Sequence, residues 1–328
     1  MAASAGFPTG GPPEDGEKLS EGVAPAAQQF RGPAVTNGAS RFAHIQNQAR
    51  STGQNVSELA RLYTLEGMLA RIAASEYAGD FVLKGGVLLA AFALRRPTKD
   101  IDLEATRINN DAHEVATRIR QIAEISCDDG IEFDLGSVRA ETIRDGDEYQ
   151  GIRVKLTGVI GRSENVIGLD ISFGDPIWPA PQQVLVPRVL DKDESSPISI
   201  LGYPIVMVVA EKIVTMIQRG DANTRWRDFA DVIAITNVHS IDETELRQAS
   251  NVVASHRRAT LETLIPALDG MPAIAQTKWS VWRARQEHRD SIPELFADAL
   301  IQVAAFFDPV VDGLTLGRKW DPQAAQWH

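Results

Sequence analysis

The apolar positions divide the chain into stretches of helical and of alternating period. Between residues 55 and 74 they fall at Leu59, Leu62, Tyr63, Leu65, Leu69 and Ile72, the spacing of an amphipathic helix. Asp80-Phe81-Val82-Leu83-Lys84 is a short apolar run that breaks at Gly85-Gly86, so it predicts a buried strand ending in a glycine turn. Residues 87–94 then read as an apolar helix. The period changes to two over Thr98-Lys99-Asp100-Ile101-Asp102-Leu103-Glu104, where Ile101 and Leu103 point one way and Asp100 and Asp102 the other. Two further alternating runs look hairpin-like. Ile152, Val154 and Leu156 alternate with Arg153 and Lys155, and Ile167, Leu169, Ile171 and Phe173 alternate with Gly168, Asp170 and Ser172. If those strands pair, the two cations stand near the acids.

Beyond Pro176, Pro179, Pro181 and Pro187, which mark a crossing, the pattern is mainly helical. Residues 205–218 are strongly apolar around Glu211-Lys212, Arg219-Gly220 ends that helix, Asn223-Thr224 offers a cap, and Arg225-Trp226-Arg227-Asp228-Phe229-Ala230-Asp231 opens the next. Ser291-Ile292-Pro293-Glu294 reads as a capping box before a helix over 295–307. The expected fold class is α+β, with residues 1–40 a disordered tail, 41–185 a mixed-sheet domain and 186–328 a mainly helical C-terminal domain.

Composition narrows the function. A net charge of −11 on 328 residues argues against a surface that coats nucleic acid throughout, though Arg257, Arg258, Lys278, Arg283, Arg285 and Arg289 gather in one stretch. Trp279 and Trp282 lie among them and read either as bases' stacking partners or as core tryptophans on an amphipathic helix. One cysteine, Cys127, excludes an internal disulfide partner and fits a reducing cytoplasm. Six histidines lack metal-ligand spacing, and no leader or membrane-length apolar run is visible, so the expected location is cytoplasmic with no membrane partner.

The chemistry concentrates between residues 84 and 102. Two like charges held side by side on a strand are costly unless a cation neutralises them, and hard carboxylate oxygens suit Mg²⁺. Asp170, among small residues on another strand, would add a third carboxylate to a two-metal phosphoryl-transfer site. Glu132 and Asp134 alternate too, but no glycine turn precedes them, so they read as a solvated face. Neither a Walker A loop nor a dinucleotide fingerprint is present. Lys212 reads equally as a triphosphate ligand or as a helix-edge lysine paired with a carboxylate. Asp228 and Asp231 share a face and have salt bridging as their plain reading.

The order Lys-Gly-Gly, Arg-x-Thr-x-Asp-x-Asp, Leu-Asp-Ile-Ser-Phe-Gly-Asp, Glu-Lys and Arg-Asp-Phe-x-Asp resembles the AbiEii/AbiGii toxin family over about residues 55–240. These are MenT-like nucleotidyltransferases of the polymerase β type, the toxin halves of type IV toxin–antitoxin pairs. The resemblance implies that Lys84, Gly85, Gly86 and Lys212 bind the nucleotide and that Asp100, Asp102 and Asp170 hold two Mg²⁺ ions. It also makes Asp100, Asp102, Asp170, Lys212 and Asp228 the catalytic set. Val87 stands where the family usually carries a hydroxyl, leaving backbone N–H donors. The implied reaction moves NMP from an NTP substrate to an acceptor, with the 3′ end of tRNA leading, and the implied partners are an RNA acceptor and a cognate antitoxin. A protein or small-molecule acceptor, a nucleotide-sugar transferase and a non-catalytic toxin–antitoxin module are the alternatives.

Overall fold

The computed structural model describes residues 38–95, 98–145, 149–190, 196–286 and 289–328. The expected tail therefore lies outside the described residues, except that its last positions already belong to α1 (Gly38–Thr52). Helix α2 (Val56–Ala74) begins where the apolar spacing begins, and the Asn55 side chain accepts hydrogen bonds from the Ser57 and Glu58 N–H groups. Strand β1 (Phe81–Lys84) enters the glycine turn. The helix expected over 87–94 is shorter: α3 (Gly85–Leu88) passes into a 3₁₀ turn, Leu89–Phe92, which Ala93 ends at φ 61°.

There follow β2 (Asp100–Ala105), α4 (Ala112–Ala123), β3 (Ile131–Asp145), β4 (Tyr149–Ile160), β5 (Ser163–Phe173), β6 (Gln182–Val186) and β7 (Ile198–Gly202). These strands form one mixed sheet in the order β3-β4-β5-β2-β1-β7-β6. Strand β2 lies antiparallel to β1 and parallel to β5, while β1 pairs in parallel with β7. Each strand buries the apolar half of its alternation: Ile101, Leu103, Ile167, Leu169, Ile171, Ile152, Val154 and Leu156 are all within the core. Glu132 and Asp134 on β3 are exposed, as their solvated reading requires.

The chain continues through α5 (Ile205–Arg219), α6 (Trp226–Thr236), α7 (Glu243–His256), α8 (Leu264–Ala267), α9 (Met271–Arg283) and α10 (Phe296–Val311), then a small hairpin of β8 (Trp320–Asp321) and β9 (Gln326–Trp327). The division expected near 185 falls at the end of β6, which pairs with β7 in the same sheet. The prolines bend the path without ending the core. A single apolar cluster runs from α2 and the sheet through α5, α6 and α7 into α9 and α10. The capping box at Ser291 does not form. Helix α10 starts at Phe296 instead, because α9 claims the preceding backbone: Gln276 accepts the Phe296 N–H at 2.8 Å, Trp279 Nε1 donates to Pro293 O at 3.0 Å, and Arg283 Nε donates to Ile292 O at 2.8 Å.

Candidate active site

The glycine turn and the paired aspartates are built against each other. Gly85 holds φ +64°, and a Cβ there would stand 1.9 Å from Asp102 Oδ2. A side chain at this position is therefore excluded twice, by backbone conformation and by space. The next amide, Gly86 N–H, donates to Asp102 Oδ2 at 3.2 Å, so the turn expected to receive phosphate is also what orients the second carboxylate.

Parallel pairing of β2 with β5 places Asp102 beside Asp170 and Asp100 beside Gly168. A Cβ at residue 168 would meet Asp100 Oδ1 at 2.2 Å, so this second glycine makes room for the first carboxylate. Burial and then the nearby Asp170 charge push the Asp100 carboxyl above its ordinary value, against the pull of Arg153, Lys99 and Arg61. The antiparallel register of β4 with β5 continues the two rows with Arg153 opposite Asp170 and Lys155 opposite Gly168. Arg153 is thus the cation that the alternating pattern placed near the acids. Its guanidinium forks onto Asp170, Nε to Oδ1 at 2.7 Å and Nη2 to Oδ2 at 2.6 Å. That bond, more than any other influence, holds the guanidinium above its ordinary pKa.

Asp100, Asp102 and Asp170 therefore lie on the adjacent strands β2 and β5, with the Gly85-Gly86 turn against Asp102. Among the described residues, however, no three acidic, histidine or cysteine side chains stand in the geometry of a metal site. Asp170 differs from the other two aspartates in that both of its oxygens accept from Arg153.

Lys84, expected as a nucleotide ligand, stands in a cluster of ion pairs. Its ammonium is buried between Asp175 at 2.6 Å and Glu104 at 3.5 Å, over the ring of Tyr203. Glu104 also accepts the Asp175 N–H at 2.9 Å. Helices α5 and α7 close this cluster: His256 reaches Asp175 at 3.7 Å, and Arg257 reaches Glu211 at 3.7 Å. Burial opposes charge on Lys84, but Glu211, Tyr203, Asp175 and Glu104 together hold it well above its ordinary value. Burial pushes Glu104 up to about 8, while Lys84 keeps Asp175 below its ordinary value despite burial. Of the missed members, Glu104 continues the alternation of Asp100 and Asp102 and Asp175 directly follows Phe173-Gly174, whereas Glu211 and His256 carry no such local signal.

Lys212 and Asp228 come together on α5 and α6. Lys212 Nζ lies 2.9 Å from Asp228 Oδ1 and 2.7 Å from Asp231 Oδ2, and Arg225 Nε lies 3.0 Å from Asp228 Oδ2. The paired-lysine reading of residue 212 is the one this geometry displays. In the basic stretch, Trp279 is fully buried, its ring 5.1 Å from that of Trp282, and Arg257 Nη1 donates to Thr215. The core reading of Trp279 holds, while Lys278, Arg285 and Arg289 are exposed.

A mixed sheet that presents two strand-borne aspartates behind a glycine turn, with helices packed after it, fits a nucleotidyltransferase, the class that the family match shows. The sequence matches the model of the family described as nucleotidyl transferase AbiEii toxin, type IV toxin–antitoxin system, over residues 67–321. The chain belongs to that family, whose toxins act beside a cognate antitoxin. Its fold is similar to that of MenT4, a nucleotidyltransferase toxin from Mycobacterium tuberculosis H37Rv, with TM-score 0.50 and 18% identity over 84% of this chain and 90% of that one. It is also similar to JHP933 from Helicobacter pylori, with TM-score 0.46 and 13% identity over 78% of this chain and 96% of that one. A comparison with curated protein sequences finds no significant match. Among the described residues, no helix is long and apolar enough to cross a membrane.

Proposed function

We propose that the protein transfers NMP from an NTP to the 3′ end of tRNA in the cytoplasm, releases pyrophosphate, depends on Mg²⁺ and so arrests translation. The observation that carries this reading is the pairing of β2 with β5 behind the Gly85 turn, which gathers three carboxylates on one face with room left by two glycines. The donor set fits a hard divalent ion. Asp100 and Asp102 would supply the oxygens, and a cation would offset both the burial and the Asp170 charge that raise Asp100. Asp100 and Asp102 would hold the ion, with Asp170 one strand away. Such an ion supplies charge neutralisation at the phosphoryl group and the leaving pyrophosphate.

The chain's own residues do the rest. Gly85 and Gly86 let phosphate oxygens approach the backbone, and Asp102 fixes the turn through the Gly86 N–H. Asp170 accepts the proton of the acceptor hydroxyl. Lys212 balances charge on the leaving group while Asp228 holds it; its neighbour Glu211 acts on Lys84, the residue before Gly85, which supports placing α5 beside the turn. Lys84 secures the root of the turn. An anionic acceptor is supported by the cations that extend the row from Gly168, Lys155 and then Arg139. The helices after residue 205 shape its binding.

The test is incubation with each α-labelled NTP, Mg²⁺ and total cellular RNA, for the parent protein and Asp102→Asn. Label is expected on tRNA and is lost in Asp102→Asn. Label on protein or on a small molecule refutes the acceptor, and undiminished label with Asp102→Asn refutes the site.

A further inference from the structure

The fork of Arg153 on Asp170 is the one feature of the site that the proposed chemistry leaves unexplained. A carboxylate whose two oxygens both accept from a guanidinium is a weakened ligand for a metal ion, because its charge is already balanced and only its remaining lone pairs are open. The pairing is not an accident of a wandering surface arginine, because the strand register sets Arg153 directly opposite Asp170. Nor is it sealed in the core, since the side chains are 37% and 22% exposed. A bidentate, charge-assisted contact at this depth can exchange with solvent and ions, yet it is strong enough to bias an equilibrium.

We propose that Arg153 is an internal counter-cation that competes with a divalent ion for Asp170. It rests on the reading of Asp100 and Asp102 as cation ligands. With Arg153 in place, Asp170 is neutralised, the three-carboxylate face is tolerated without a metal, and only two strand carboxylates keep their full pull on an incoming ion. Withdrawal of Arg153 adds the third. The competition raises the cation concentration at which the site assembles, so residue 153 sets the metal demand of the enzyme without itself binding metal.

Mn²⁺ binding to the full-length protein without nucleotide, followed by calorimetry and by thermal unfolding, tests this. Arg153→Gln is expected to bind Mn²⁺ about tenfold more tightly than the parent, the worth of one charge-assisted contact released. Its melting temperature without metal falls, and Mn²⁺ raises it by more than it raises the parent's. In an Asp170→Asn background the gain disappears, because there is no carboxylate to release. Arg153→Lys keeps the charge but gives up the fork, so it also binds more tightly than the parent, and it carries the test should Arg153→Gln not fold. Equal or weaker binding in both Arg153 variants overturns the proposal. So does an equal gain with Asp170→Asn, which would mark a general field effect. Mn²⁺ binding that Asp102→Asn leaves unchanged instead overturns the underlying cation-site reading.

Discussion

Replacing Lys84 by Met removes the ammonium while keeping most of the side chain's apolar stem, so it isolates the charge. The three side chains of the central triad are nearly closed to water: Lys84 is 12% exposed, Asp175 8% and Glu104 2%. Removing one partner from a buried ion pair leaves an uncompensated charge and costs roughly 3–5 kcal/mol. For a chain of this size that lowers the melting temperature on the order of 10 °C. The pH dependence sharpens the test. In the parent, Asp175 sits below its ordinary value of 3.8 largely because Lys84 overcomes its burial. A depressed carboxyl contributes stability that is present above its unfolded pKa and lost as pH falls through the folded one. Without Lys84 the sign reverses: burial raises Asp175, and protonation on acidification then relieves the variant. Glu104, already raised from 4.5 to about 8, costs the parent stability as pH rises through that range, and the variant more. The deficit of Lys84→Met measured by urea unfolding should therefore be largest near pH 8 and shrink toward pH 5. A deficit below about 1 kcal/mol, the level of an exposed pair, would refute the reasoning. A deficit that does not change with pH would refute it as well.

Gly85→Ala should cost about 1–3 kcal/mol of stability through its positive φ and, by displacing Asp102, lower transfer about a hundredfold. Parent-like rates in a labelled-nucleotide assay would show that the turn and the carboxylate are not coupled. Lys212→Met should unfold roughly 3–5 kcal/mol more easily than the parent, because Asp228 and Asp231 lose their shared cation. An unchanged denaturation midpoint would show that these ion pairs contribute no more than exposed ones do.

The parts of the site that lie within one alternating run were legible in the sequence. Asp100 and Asp102 share a face because strands have a period of two, and Asp170 stands opposite apolar neighbours for the same reason. Arg153 was legible as a nearby cation once its strand was expected to pair. Its grip on Asp170 was not, because register depends on where both strands begin. The ion pairs of Lys84 were hidden for a different reason. Adjacent to the glycine turn in sequence, this lysine is held by carboxylates from β2 and the segment after β5, and by α5 and α7, which no local spacing reveals. The capping box failed by the same rule, since tertiary hydrogen bonds from α9 outbid a local motif. The C-terminal hairpin depends on Trp320 Nε1 reaching Thr236 O at 2.8 Å, a contact between remote segments.

Asp102 and Asp170 meet only through the parallel pairing of β2 with β5, and β3 and β4 lie between them along the chain. During synthesis, therefore, a nascent polypeptide that has emerged through the first aspartates carries half a site and no third carboxylate. Lys212 and its partners emerge later still. Pairings of such long sequence separation form slowly and late. This topology orders assembly: the proposed site can close only after β5 has been made and has paired with β2, and a chain terminated before β5 cannot close it.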